Sequence, residues 1–114
     1  MIYSLIWPDK IVPCVRTTRR QKFVDPSYKK YERWKHAFRL FANTQGFPED
    51  LSLDKSYAID VKISVIGKSR YDLDNAIKGI LDALFKQDRR ILAIEGKIFE
   101  REQEESALVK LSEV

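Results

Sequence analysis

The run Arg70-Tyr71-Asp72-Leu73-Asp74-Asn75-Ala76-Ile77-Lys78 sets two carboxylates one residue apart and places an ammonium four residues beyond the second. Carboxylates this close repel unless a cation sits between them, and hard divalent ions such as Mg2+ take oxygen ligands of this kind. On a helix, Lys78 lies one turn along from Asp74, on the same side. The set predicts a metal-assisted site acting on an anion, with phosphate the first candidate. A plainer reading makes Asp72 an N-cap and the rest a solvated helix face carrying one Asp/Lys pair.

A metal ion wants several oxygen ligands, so a third acid is expected. The next one along the chain is Asp88, but a helix of about fourteen residues is about 20 Å long. Asp88 meets Asp72 only if the helix ends early and the chain folds back; Glu95 is the substitute. Asp60-Val61-Lys62 is a competing signal, an acid and a lysine projecting together from one face of a strand, as restriction-type nucleases arrange them. With four glycines in all there is no phosphate-cradling loop, and no nucleotide cofactor is expected. Cys14 and His36 are the single cysteine and histidine, which excludes an internal disulfide and a Cys/His zinc cluster within one chain. Cys14 is read as a packing residue and His36 as a solvated helix position.

These residues need a scaffold. The 114-residue length, with 44% hydrophobic and 33% charged residues, suits one globular domain over 1–114. No apolar run approaches the length of a membrane span, and the opening Met1-Ile2-Tyr3-Ser4-Leu5-Ile6-Trp7-Pro8 reads as a first strand, so a cytoplasmic protein is expected. The formal charge of +4 is uneven: residues 1–48 carry a net of +7 and residues 49–114 a net of −3. The basic half suits a polyanion and the acidic half suits cations.

Residues 2–7 alternate weakly, as a short strand, and 9–24 read as a basic loop or loose hairpin containing Arg16, Arg19, Arg20 and Lys22. Asp25-Pro26 starts a helix with an aromatic stripe of Tyr31, Trp34, Phe38 and Phe41, ended by Gly46 and Pro48. Lys29, Lys30, Arg33 and Arg39 fall on its other face, as solvated or anion-binding residues. Tyr57, Ile59, Val61, Ile63 and Val65 alternate with more polar residues in a strand stopped at Gly67. A second helix gathers Leu73, Ile77, Ile80, Leu81 and Leu84 on one face and Asp74, Lys78 and Asp82 on the other. Strands near 91–99 and 106–112 flank a charged turn and are expected to form a hairpin. The fold class is α+β, a single mixed or largely antiparallel sheet with two main helices packed on it.

The pattern Asp72-x-Asp74-Asn75-x-x-Lys78-x-x-x-Asp82-Ala83-Leu84 resembles the central motif of the RusA family of Holliday junction resolvases. The stretch from Trp7-Pro8 through Ile11-Val12-Pro13-x-x-Arg16 and Thr18-Arg19-Arg20 to Val24-Asp25-Pro26 is similar to that family's basic, proline-marked opening. Asp88-Arg89-Arg90-Ile91 is similar to the acidic stretch before its next strand, although Gln87-Asp88-Arg89-Arg90 stands where the family often has paired acids and a Gln. The likeness covers most of the chain. It implies a RusA-like fold and a homodimeric endonuclease that uses one or two Mg2+ per subunit to nick paired strands of four-way DNA junctions, in recombination and repair. Asp72, Asp74, Asp88 and Lys78 would be catalytic, the aspartates holding metal, and Arg16, Arg19, Arg20, Lys22 and Arg70 would grip phosphates. The alternatives are a non-catalytic DNA-binding protein and a nuclease of different substrate range built on Asp60 and Lys62.

Overall fold

A computed structural model of the chain describes residues 2–15 and 25–114. Arg16, Arg19, Arg20 and Lys22, expected to grip phosphates, lie outside the described residues. Six elements follow one another: β1 (Ile2–Trp7), α1 (Pro26–Thr44), β2 (Tyr57–Ile66), α2 (Leu73–Leu84), β3 (Ile91–Arg101) and β4 (Ser106–Glu113). The strands form one mixed sheet in the order β1-β4-β2-β3. β4 runs antiparallel to both β1 and β2, and β2 runs parallel to β3. The fold is therefore α+β, a four-stranded mixed sheet with two helices packed on it.

The side chains of β2 alternate across the sheet, and Tyr57, Ile59, Val61, Ile63 and Val65 are all buried. Register builds the inner face in rows: Leu5 opposes Val109, Val109 opposes Val61, and Val61 lies beside Gly96. Helix α1 starts where its residues allow, because the Asp25 carboxylate accepts from the Ser27 amide at 2.9 Å and Pro26 has no amide to satisfy. Its stripe of Tyr31, Trp34, Phe38 and Ala42 is buried, and Trp7 meets Phe38 with ring centroids 5.1 Å apart. A fully buried Phe of this kind stabilises the fold by about 1.5–3 kcal/mol. Gly46, at φ +77°, turns the chain out of the helix in the left-handed region that favours glycine.

The expected hairpin between the last two strands is not formed. β2, α2 and β3 make a strand-helix-strand unit, and a helix inserted between adjacent strands brings the second back parallel to the first. The chain then crosses the end of β2, where the Gly67 amide donates to the Arg101 carbonyl at 2.9 Å and the Ile66 amide to the Glu105 carboxylate at 3.3 Å. It descends as β4 on the other side of β2. Burial explains the order: Ala107, Val109 and Leu111 of β4 are fully covered and claim the middle of the sheet, whereas β3, with Leu92 and Ile94 exposed and charged residues along it, is an edge strand.

Both helices lie on one face. No described element covers the other, which carries Ile2, Ile6, Asp60, Lys62, Glu95, Lys97 and Lys110 by strand alternation. Among the described residues no helix is long and apolar enough to cross a membrane.

Candidate active site at the start of helix α2

Gly67, at φ +73°, releases the chain from β2, and residues 68–71 carry it onto the helix layer. That turn is held at two points: the Ser69 amide donates to Glu100 at 2.7 Å and the Ser69 hydroxyl to the Tyr71 carbonyl at 2.9 Å. Asp72 follows as the N-cap of α2, with extended backbone and with its carbonyl already accepting from the Ala76 amide. Its carboxylate, however, makes no capping bond. Asp74, in the first turn, forms no ion pair with Lys78, and neither residue has a salt bridge among the described residues. Asp72, Asp74 and Lys78 are all exposed. Asp72 does stand at the N-cap and the helix face is exposed, as the plainer sequence reading has it, but the side-chain capping bond and the Asp74–Lys78 ion pair of that reading are not formed.

The positive end of the α2 dipole favours negative charge here, which lets two carboxylates stand one residue apart. Two carboxylates suit a hard cation that fills most of its shell with water: Mg2+ is octahedral, keeps several waters and commonly takes one or two carboxylates together with a substrate phosphate. Among the described residues no group of three or more Asp, Glu, His or Cys side chains is arranged to hold a metal ion, so water and substrate would complete the shell.

Asp88 does not join Asp72 and Asp74. It sits beyond the other end of α2, where its carbonyl accepts from the Ile91 amide at 2.9 Å, and the 12 residues of the helix hold the two ends about 18 Å apart. Glu95 is no substitute, because its neighbour Gly96 faces α2, where an added Cβ would meet Ile77 Cδ1. Glu95 therefore projects from the uncovered face. There it stands in register with Asp60, which lies opposite Lys110, and Lys62 stands beside Lys97. The acid and lysine of the competing reading are thus separated from Asp72 by the thickness of the sheet.

One motif residue, Asp82, has a structural partner. The Asp82 carboxylate accepts from the Tyr31 hydroxyl at 3.1 Å, joining the two helices. Burial first, and then the nearby Cys14 and Asp82, raise the Tyr31 hydroxyl above its ordinary pKa. Arg39, expected on a solvated or anion-binding face, donates to the Ala83 carbonyl at 2.8 Å and the Asp82 carbonyl at 3.3 Å. It thereby satisfies carbonyls at the end of α2 that have no partner within the helix. The sequence holds no local signal for this contact, which spans more than forty residues.

Residues 12–14 are docked on α2. The Cys14 amide donates to the Asn75 carbonyl at 3.0 Å. Gly79 permits the approach, since a Cβ there would lie 3.0 Å from the Val12 carbonyl oxygen and 3.1 Å from the Cys14 nitrogen. Next to Asp72 this docking encloses a groove of about 480 Å3 whose walls include Lys10, Lys30, Lys68, Arg70 and Tyr71. Burial and the adjacent Glu105 raise the Tyr71 hydroxyl to about 12. Arg70 was expected from sequence to serve a polyanion; Lys10 and Lys68 were not, because only the fold brings 10–13 beside 68–71.

No model of a known protein family matches this chain, and no curated protein matches it.

Proposed function

We propose that the chain is a Mg2+-dependent endodeoxyribonuclease that resolves four-way DNA junctions by paired nicks, as its resemblance to the RusA resolvases implies. One observation carries the reading: two carboxylates and an ammonium share the first turns of one helix, exposed, and none of them forms a salt bridge among the described residues. Asp72 and Asp74 would hold the metal, whose bound form supplies charge neutralisation at the phosphate and an activated water. Lys78 presents a positive charge to the non-bridging oxygens, where negative charge grows during attack. Arg70, beside the carboxylates, orients the strand through its phosphates. Two equivalent strands at a junction are matched by a two-fold dimer with one site per subunit. Asp88 forms no part of this single-chain site.

A second reading has one observation in its favour, the register that sets Asp60 beside Glu95 and Lys62 beside Lys97 on the uncovered face. The test separates them. A labelled synthetic four-way junction and a linear duplex of equal length are incubated with protein, with Mg2+ and with EDTA. Junction cleavage only with Mg2+, lost in Asp74→Asn and kept in Asp60→Asn, is the expected result. Loss in Asp60→Asn with activity kept in Asp74→Asn moves the site to the open face. Tight binding without cleavage makes the protein a non-catalytic DNA binder.

A further inference from the structure

The groove that ends at Tyr71, the residue before Asp72, has an excess of positive charge among the described residues. Lys10, Lys30, Lys68 and Arg70 line it, against the single carboxylate of Glu105. Glu105 is held within the same wall, accepting from the Ile66 amide, and none of the four cations is in an ion pair among the described residues. Like charges facing one hollow repel one another, and an anion placed between them relieves that repulsion. Much of the rest of the lining is apolar or aromatic, including Ile11, Pro13, Val65 and the half-buried Tyr71. A duplex surface recognised through phosphates alone needs no such floor. Single strands are held by a different combination, a positively charged groove with aromatic and apolar surfaces on which unpaired bases lie. The volume, about 480 Å3, falls within the usual range of small-molecule sites, giving room for one base with its phosphate.

We propose that this groove seats an unpaired nucleotide of the DNA strand delivered to Asp72 and Asp74, an inference that rests on the nuclease reading above. The base lies against Pro13, Val65 and Tyr71, and the flanking phosphates lie on Lys10, Lys30, Lys68 and Arg70. Tyr71 immediately precedes Asp72, so a nucleotide held here fixes which phosphodiester stands at the carboxylates. At a branch point, where bases open most readily, this favours cutting beside the branch over cutting in an arm.

The test is made in EDTA, where no cutting occurs. Fluorescence anisotropy is measured with a short labelled oligothymidylate, an abasic strand of the same length and a blunt duplex. Oligothymidylate should bind about tenfold more tightly than the abasic strand, a base contact being sensitive to loss of the base. Replacing Lys30 and Lys68 together by Ala should weaken oligothymidylate binding by about tenfold and lower its salt slope by about 1.4. Both lysines are exposed, and circular dichroism checks that the variant keeps the fold. Equal binding of the two strands, or a double variant that binds oligothymidylate as the parent does, overturns the nucleotide seat. Junction cleavage is scored separately in Mg2+: if it is absent while the EDTA results hold, the nuclease reading fails and the groove stands as a single-strand site.

Discussion

Asp25 and Asp72 occupy the same position at the heads of their helices, both on extended backbone, yet only Asp25 turns its carboxylate onto a helix amide. A local rule kept at one helix and broken at the other, beside a second exposed carboxylate, is the pattern expected where chemistry competes with stability. Tyr31 shows the opposite case, a polar group whose role is cohesion. Its hydroxyl bonds Asp82 and its pKa in the folded chain is raised above the ordinary 10.0 by burial. The neutral form is therefore favoured by folding, so the associated stability is complete below pH 10, the value in the unfolded chain, and is lost as pH rises beyond it. We expect the melting temperature of the parent to fall above that pH and that of Tyr31→Phe to fall less steeply. At neutral pH the variant should be less stable by about 1 kcal/mol, the worth of the lost hydrogen bond. Parallel curves across the alkaline range would show that Tyr31 does not govern this behaviour.

Between elements, the contact that assembles the candidate site is the docking of 12–14 on α2. Alanine at position 79 would favour the helix by about 1 kcal/mol, but its Cβ would press on backbone atoms of Val12 and Cys14, and overpacking of this kind costs about 1–3 kcal/mol. The clash should win: Gly79→Ala is expected to lower stability by about 1 kcal/mol, to increase amide exchange at Cys14, and to weaken oligonucleotide binding because Lys10 is displaced. A melting temperature above the parent's with Cys14 still protected would show that the segment yields freely.

The elements themselves were largely legible. The alternation of 57–66, the Asp25-Pro26 start and the stop at Gly67 depend on neighbours in sequence, and each stands where the pattern places it. The pairing of β3 and β4 did not follow from sequence, because a short charged turn between strands looks the same whether it closes a hairpin or steps over an intervening strand. The strand-helix-strand order of β2, α2 and β3 was the available signal for a parallel pair. Asp72, Asp74 and Lys78 were legible as a unit because one helix carries them. The groove and the Arg39 brace were not, since each joins segments that meet only through the tertiary fold.

For the whole molecule, the proposed reading requires two copies acting on one junction. Mixing parent protein with Asp74→Asn should produce heterodimers that cut a single strand, so a supercoiled cruciform plasmid yields nicked circles at the expense of linear product. A mixture that gives only linear product, or a protein that sediments as a monomer while bound to junction, would remove the paired-nick mechanism and leave a monomeric nuclease.

β4, the last of the six elements to be synthesised, is the strand on which β1 pairs and the one that separates β1 from β2. While the chain is still emerging from the ribosome, β2, α2 and β3 can gather as a local unit, but Leu5 and Trp7 have no sheet to join and the inner face lacks its most deeply covered row. Closure is therefore an event of long sequence separation, slow relative to local helix formation. Until residues 106–113 arrive to fill the gap beside it, the apolar first strand has no described strand to pair with.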